Sequence, residues 1–377
     1  MPVAESGSPS GVAVADRASA RQPWLWRAAT LAVCAHFGLS YVGREQFFPD
    51  LRLYAAGKMD VPFQYRTLVA WIFRGLVSSR LFAAASRHAP SLYQNPYLLA
   101  YLLVVAAAMV GAVYATAGTI RALTGDAVFA RWSALLVVYM AYFTIILVYG
   151  LTNMYPYDVP SLFFFCMGVN LVVCGRRWLY YLLFVPAVFN RETICFLTVF
   201  FAVWEWFRLD GAAAAKARRI LPHIAAQAAI WAAIKVYLFR LYAHNPSEVG
   251  ANRVFINFLG YNLRELAHPG QWPLLLSVCG FTLPLLVAQR RWIRNRALAW
   301  GCGIVMPLWF CGMMCVGVVI EIRVFTELAS LAAPAVALIA YHRWYRREAL
   351  ADSAEVGGSA AVQAGEAETG LANDPMP

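Results

Sequence analysis

Apolar residues recur along this chain in uninterrupted runs, most of them close to the length a helix needs to cross a bilayer. At about 1.5 Å of rise per residue, some 20 residues cover roughly 30 Å of hydrocarbon. Runs fall at 25–42, 96–117, 132–150, 157–174, 178–190, 193–206, 220–241, 272–288, 298–319 and 324–341. They predict an all-α, polytopic bundle of about ten transmembrane spans. With 61% hydrophobic and only 14% charged residues, the chain has too little polar surface for a water-soluble fold. We read 23–346 as the transmembrane domain, and 1–22 and 347–377, which lack periodicity, as disordered cytoplasmic tails.

The formal charge of +11 does not indicate nucleic acid, because Lys and Arg sit in the short gaps between runs rather than on one solvated face. One alternating set of gaps holds eighteen of them, including Arg176-Arg177, Arg208 to Arg219 and Arg290 to Arg296. The opposite set holds five outside the long first loop. The positive-inside rule then places both termini in the cytoplasm.

This count requires 178–206 to be a hairpin, since basic residues flank it on both sides. Its first arm contains Pro186, and its turn, Asn190-Arg191-Glu192, falls below the outer surface. Polar backbone is tolerated there only against protein or a water-filled cavity. In the first outer loop, Leu68–Ala85 reads as an interfacial helix. In the second span, Ala107, Gly111 and Ala115 recur at the four-residue spacing of close helix packing.

A charge at depth in lipid costs about 2.5–3.5 kcal/mol on insertion scales, so each retained one asks for a partner or a task. The outer half collects Asp50, Asp60 and Arg66 in the first loop and Asp158 after Tyr157. It also holds the pair Arg191-Glu192, and Glu321, Arg323 and Glu327 around the last span. Structural roles are available to several of these. Asp158 suits a helix N-cap, Asn190 with Glu192 could cap the second hairpin arm, and Arg323 could pair with Glu327 four residues on. Capping leaves Arg191 without a reason.

The eight cysteines lie in apolar segments, and Cys311 and Cys315 read as core. The histidines show no ligand spacing, so no zinc site is supported. Lys235, deep in a span, reads as snorkelling or paired.

The stretches Asp50-Leu51-Arg52-Leu53-Tyr54 and Pro62-Phe63-Gln64-Tyr65-Arg66 resemble the first-loop region of bacterial GT-C membrane glycosyltransferases. Tyr157-Asp158, Asn190-Arg191-Glu192-Thr193 and Glu321-Ile322-Arg323 are similar to that class's later polar positions. The chain departs from it in lacking a paired Asp-x-Asp or Asp-Glu after the first span.

The resemblance implies a bacterial inner-membrane enzyme that moves a sugar, with inversion, from a polyprenyl-phosphate carrier to a glycan, lipid or protein acceptor on the outer side. Asp50, Asp158 and Glu192 are then the candidate catalytic carboxylates, Asp50 foremost. Arg66, Tyr157, Arg191, Glu321, Arg323 and Glu327 are candidates for substrate binding. A requirement for a divalent metal stays open. A transporter or lipid-linked sugar flippase would also use paired charges at a broken helix, and a polysaccharide polymerase is a third reading.

Overall fold

The computed structural model describes residues 10–44, 50–147, 155–247 and 258–345, with side chains from residue 23 onward. Every regular element among them is helical. In chain order the α-helices are α1 (Ser10–Gly43), α2 (Leu51–Ala56), α3 (Leu68–Val77), α4 (Arg80–Arg87), α5 (Pro96–Thr124), α6 (Ala127–Ser133), α7 (Leu136–Ala141) and α8 (Asp158–Val173). They continue as α9 (Arg177–Asn190), α10 (Cys195–Arg208), α11 (Ala213–Leu241), α12 (Leu259–Ala267), α13 (Trp272–Leu276), α14 (Thr282–Gln289), α15 (Arg296–Val316) and α16 (Ala329–Ala340). Helix α1 begins at Ser10, inside the expected N-terminal tail, whereas 347–377 lie outside the described residues.

Among the described residues five helical stretches are long and apolar enough to cross a membrane: Pro96–Thr124, Ala127–Ile146, Ala213–Leu241, Arg296–Val316 and Ile322–Tyr345. A sixth is present if the pair α3 and α4, bent by 79°, forms one broken span. The bend separates two halves of the segment expected to be a single interfacial helix. Other expected spans are helices of 16 (α8), 14 (α9) and 14 (α10) residues. The apolar run 272–288 is broken into α13 and α14. The turn between them carries three consecutive positive φ angles, at Cys279 (53°), Gly280 (66°) and Phe281 (60°).

Helix ends follow local chemistry. Asn95 accepts from the Tyr97 amide ahead of Pro96, Asp126 accepts from the amides of Val128 and Phe129, and Asn295 accepts from that of Leu298. Gly125 closes α5 at φ 77°, a left-handed conformation that suits glycine.

Helix α8 lies at the centre, apolar and buried around most of its circumference, as expected of a helix enclosed by others. It packs closely on α5. A Cβ on Gly111 would come within 2.6 Å of the Phe163 ring, and one on Gly118 within 2.5 Å of Asn170. The close approach therefore uses Gly111 and Gly118, and Ala115 between them is buried. Ala107, expected in the same stripe, is exposed.

The bundle has two chemically distinct ends. At one, Glu205 near the end of α10 is gripped by Arg177 at the start of α9 (2.6 Å) and by Arg208 (2.7 Å). The hairpin turn, the start of α8 and the start of the last span meet at the other. There the two long loops are also tied together, because Asn245 Nδ2 donates to the carbonyls of Gly57 (2.9 Å) and Met59 (2.7 Å).

Candidate functional site

The hairpin breaks at Arg191. Helix α9 runs through Pro186 to Asn190, Arg191 is extended (φ −158°, ψ 144°), and a 3-10 turn, Glu192–Ile194, leads into α10. The extended residue sends the two neighbouring charged side chains to different places. Arg191 turns inward, where Nη1 donates to Asp158 (3.1 Å) and to Glu327 (2.7 Å). Glu192 lies at the rim, bound by Arg66 through Nη2 (2.5 Å) and Nε (3.2 Å), with Lys235 Nζ 3.7 Å away.

From Asp158 the network continues outward to Arg323 (3.4 Å) and from there to Glu321 (2.6 Å). Ser161 and Thr193 donate to Glu327 at 2.9 and 3.3 Å. Four cations, Arg66, Arg191, Lys235 and Arg323, thus meet four carboxylates, Asp158, Glu192, Glu321 and Glu327. The centre is sealed. The side chains of Asp158 and Glu327 are 0% exposed, whereas those of Glu192 and Glu321 are 38% and 32% exposed.

Two tyrosines connect the outer arginines. The Arg66 guanidinium lies 4.6 Å from the Tyr157 ring centroid, and that of Arg323 lies 4.1 Å from the Tyr155 ring. The two rings stack at 5.3 Å. Arg66 also donates to the Tyr157 hydroxyl (2.6 Å). Planar guanidinium groups suit both this stacking and bidentate binding of anions.

Three buried atoms in the network have no hydrogen-bond partner among the described residues: Arg191 Nε, Arg323 Nε and Glu327 Oε2. Burial pushes the Glu192 carboxyl up, but the opposed charges of Arg66 and Lys235 outweigh it and hold the group well below the ordinary carboxylate range.

Of the residues singled out in the sequence, Arg66, Tyr157, Asp158, Arg191, Glu192, Glu321, Arg323 and Glu327 come together in this one network. Asp50 does not join it. It is exposed, and its Oδ1 accepts from the Arg52 amide, capping α2. Tyr54, one helical turn on, donates to the Arg66 carbonyl, and its ring lies 6.5 Å from that of Tyr157. Asp50 therefore stands one turn of helix from a residue packed on the network.

The capping and pairing roles open to these charges are not the ones they take. Neither Asp158 nor Glu192 caps a helix through its side chain. Arg323 and Glu327 lie in a 3-10 segment, Ile322–Leu328, with three residues per turn instead of 3.6. Residues four apart diverge on such a helix, so Arg323 faces Asp158 and Glu327 faces Arg191. Cys311 and Cys315, read as core, are exposed on α15. In a lipid-facing helix apolar character does not distinguish inside from outside.

Sequence reasoning missed Tyr155 and Ser161 and gave Thr193, present in Asn190-Arg191-Glu192-Thr193, no role. Ser161 lies one turn after Asp158 and so shares its face, which was the available signal. Lys235 pairs with Glu192, and Trp231, one turn before it, donates to the Glu192 carbonyl (3.0 Å).

Among the described residues no three His, Cys, Asp or Glu side chains group as a metal ion would require. The buried carboxylate Asp158 already faces two arginines, so its donor oxygens do not suit a cation. No family model, curated protein or solved structure matches the chain.

Proposed function

We propose that this chain is an integral membrane glycosyltransferase of the bacterial inner membrane. It would move a sugar from a polyprenyl-phosphate carrier to a glycan, lipid or protein acceptor at the outer face. In this reading about ten spans cross the bilayer, the short helices α8, α9 and α10 among them, and both termini are cytoplasmic. The charge network at one end of the bundle carries the proposal. Charges are retained in lipid where they serve a ligand path or reaction, and here the half-buried Arg66 and the buried Arg323 flank a stacked tyrosine pair. The unpartnered Nε atoms of Arg191 and Arg323 add unused donors.

In the reaction, an acceptor hydroxyl loses its proton to a carboxylate as its oxygen attacks the anomeric carbon. The bond from that carbon to the phosphate oxygen breaks, and polyprenyl phosphate leaves with the electron pair. One displacement inverts the anomeric centre. Arg66 and Arg323 would hold the departing phosphate, with the partly exposed Glu192 and Glu321 yielding their places, while Arg191 positions Asp158 and Glu327.

Of the three candidate bases, Asp158 is fully buried between arginines and Glu192 lies between Arg66 and Lys235. Asp50 is exposed, with Oδ1 alone engaged among the described residues, in its cap, and is the base we propose.

Purified protein reconstituted with a radiolabelled polyprenyl-phosphate sugar and a membrane acceptor extract should transfer label with inversion. Under the transporter or flippase reading, the same proteoliposomes would instead move the labelled lipid or a soluble sugar between leaflets or compartments without forming a new glycosidic bond.

A further inference from the structure

The break between α13 and α14 opens a groove about 710 Å³ in volume on the lipid-facing side of α15. The turn that creates it is pinned from behind. The Cys279 amide donates to Thr144 Oγ1 (2.9 Å), and the Tyr139 hydroxyl donates to the Gly280 carbonyl (3.3 Å). The groove is thus a fixed feature between two helices. Its walls are Leu283 and Val287 on one side and Gly303, Met306 and Phe310 on the other. At Gly303 an added Cβ would meet nothing within 4 Å, so the groove is open along α15.

Its lining carries one charged side chain, Arg290, at the end where α14 stops and α15 starts. Arg290, Arg291, Arg294 and Arg296 follow one another with no acidic residue between them. None of the four forms an ion pair among the described residues. A long apolar trough with an unpaired cation at one end has the polarity of a single amphiphile.

We propose that this groove binds an anionic glycerophospholipid, with one acyl chain along Gly303 and Met306 and the phosphate at Arg290. A chain leaving bilayer for protein gains little from apolar contact alone, so selectivity must come from the head group. Arg290, the charged side chain in the lining, supplies it. The site is separate from the charge network: Arg290 lies at the opposite end of α15 from the segment that leads to Glu321. The two are nevertheless linked through Phe325 and Leu328, which line the groove and belong to or adjoin the same 3-10 turn as Arg323 and Glu327. The bound lipid braces that turn from behind.

The test is native mass spectrometry of wild type, Arg290→Gln and Gly303→Leu, each released from nanodiscs of equal phosphatidylglycerol and phosphatidylcholine. Wild type should retain one phosphatidylglycerol, preferred about fivefold as expected for one interfacial arginine. Arg290→Gln should retain the two lipids equally, and Gly303→Leu should retain neither. Arg290 is exposed, so its replacement tests the proposal even if Gly303→Leu fails to fold. Unchanged phosphatidylglycerol retention in Arg290→Gln, or no head-group preference in wild type, would overturn it. So would displacement of the phospholipid by added polyprenyl phosphate that itself depends on Arg290.

Discussion

Arg191 and Glu327 meet at 2.7 Å across 136 residues of sequence, and neither side chain reaches solvent. Arg191 is the only described cation that touches both fully buried carboxylates, since it also contacts Asp158. It ties the hairpin turn to the starts of α8 and the last span.

Removing one partner leaves a buried charge uncompensated, which typically costs about 3–5 kcal/mol. Arg191→Leu should lower the melting temperature sharply. Arg191→Leu combined with Glu327→Leu should recover much of the loss, because Asp158 keeps Arg323. Additive losses in thermal unfolding of the single and double variants would mean that the pair is not coupled.

Glu192 makes a stability contribution with a defined pH window. Its folded value lies below the ordinary 4.5, so below that pH the unfolded chain binds more protons than the folded one. The contribution is complete above 4.5 and fades as pH falls toward the folded value. The melting-temperature gap between wild type and Glu192→Gln should therefore be constant from neutral pH to about 5.5 and shrink below 4.5. A gap that widens on acidification would contradict the pairing with Arg66.

The proposed orientation can be read by thiol labelling in a background without the eight native cysteines. A cysteine at Lys58, exposed in the first long loop, should react with an impermeant reagent from outside, while one at the exposed Arg176 should react only after lysis. The opposite pattern would invert the topology and place the charge network on the cytoplasmic side.

Most of the network was legible because lipid makes each charge expensive, which marks Asp158, Arg191, Glu192, Arg323 and Glu327 in sequence. Their partners were not legible. Pairing Arg323 with Glu327 assumed 3.6 residues per turn, and the 3-10 geometry of Ile322–Leu328 redirected both. Nor did the run 272–288 announce its break. It carries no charge and few polar residues, and two of its three residues with positive φ are Cys279 and Phe281, which carry no turn signal. Of the stripe at Ala107, Gly111 and Ala115, Gly111 packs on α8, but Gly118, outside the stripe, does so too, and the exposed Ala107 shows that spacing alone does not say which small residue faces a neighbour.

Asp50, the proposed base, is the one candidate catalytic carboxylate outside the network. Asparagine caps a helix as well as aspartate does, so Asp50→Asn should leave α2 and overall stability unchanged while removing the base. Loss of a general base typically slows a reaction about 100- to 10,000-fold. The decisive measurement is single-turnover sugar transfer from a polyprenyl-phosphate donor by wild type and Asp50→Asn at equal stability. A fall in rate of that size is the predicted result. Equal rates would contradict Asp50 as the base, and no transfer by wild type, with lipid movement abolished by Arg191→Ala, would replace the enzyme with a transporter.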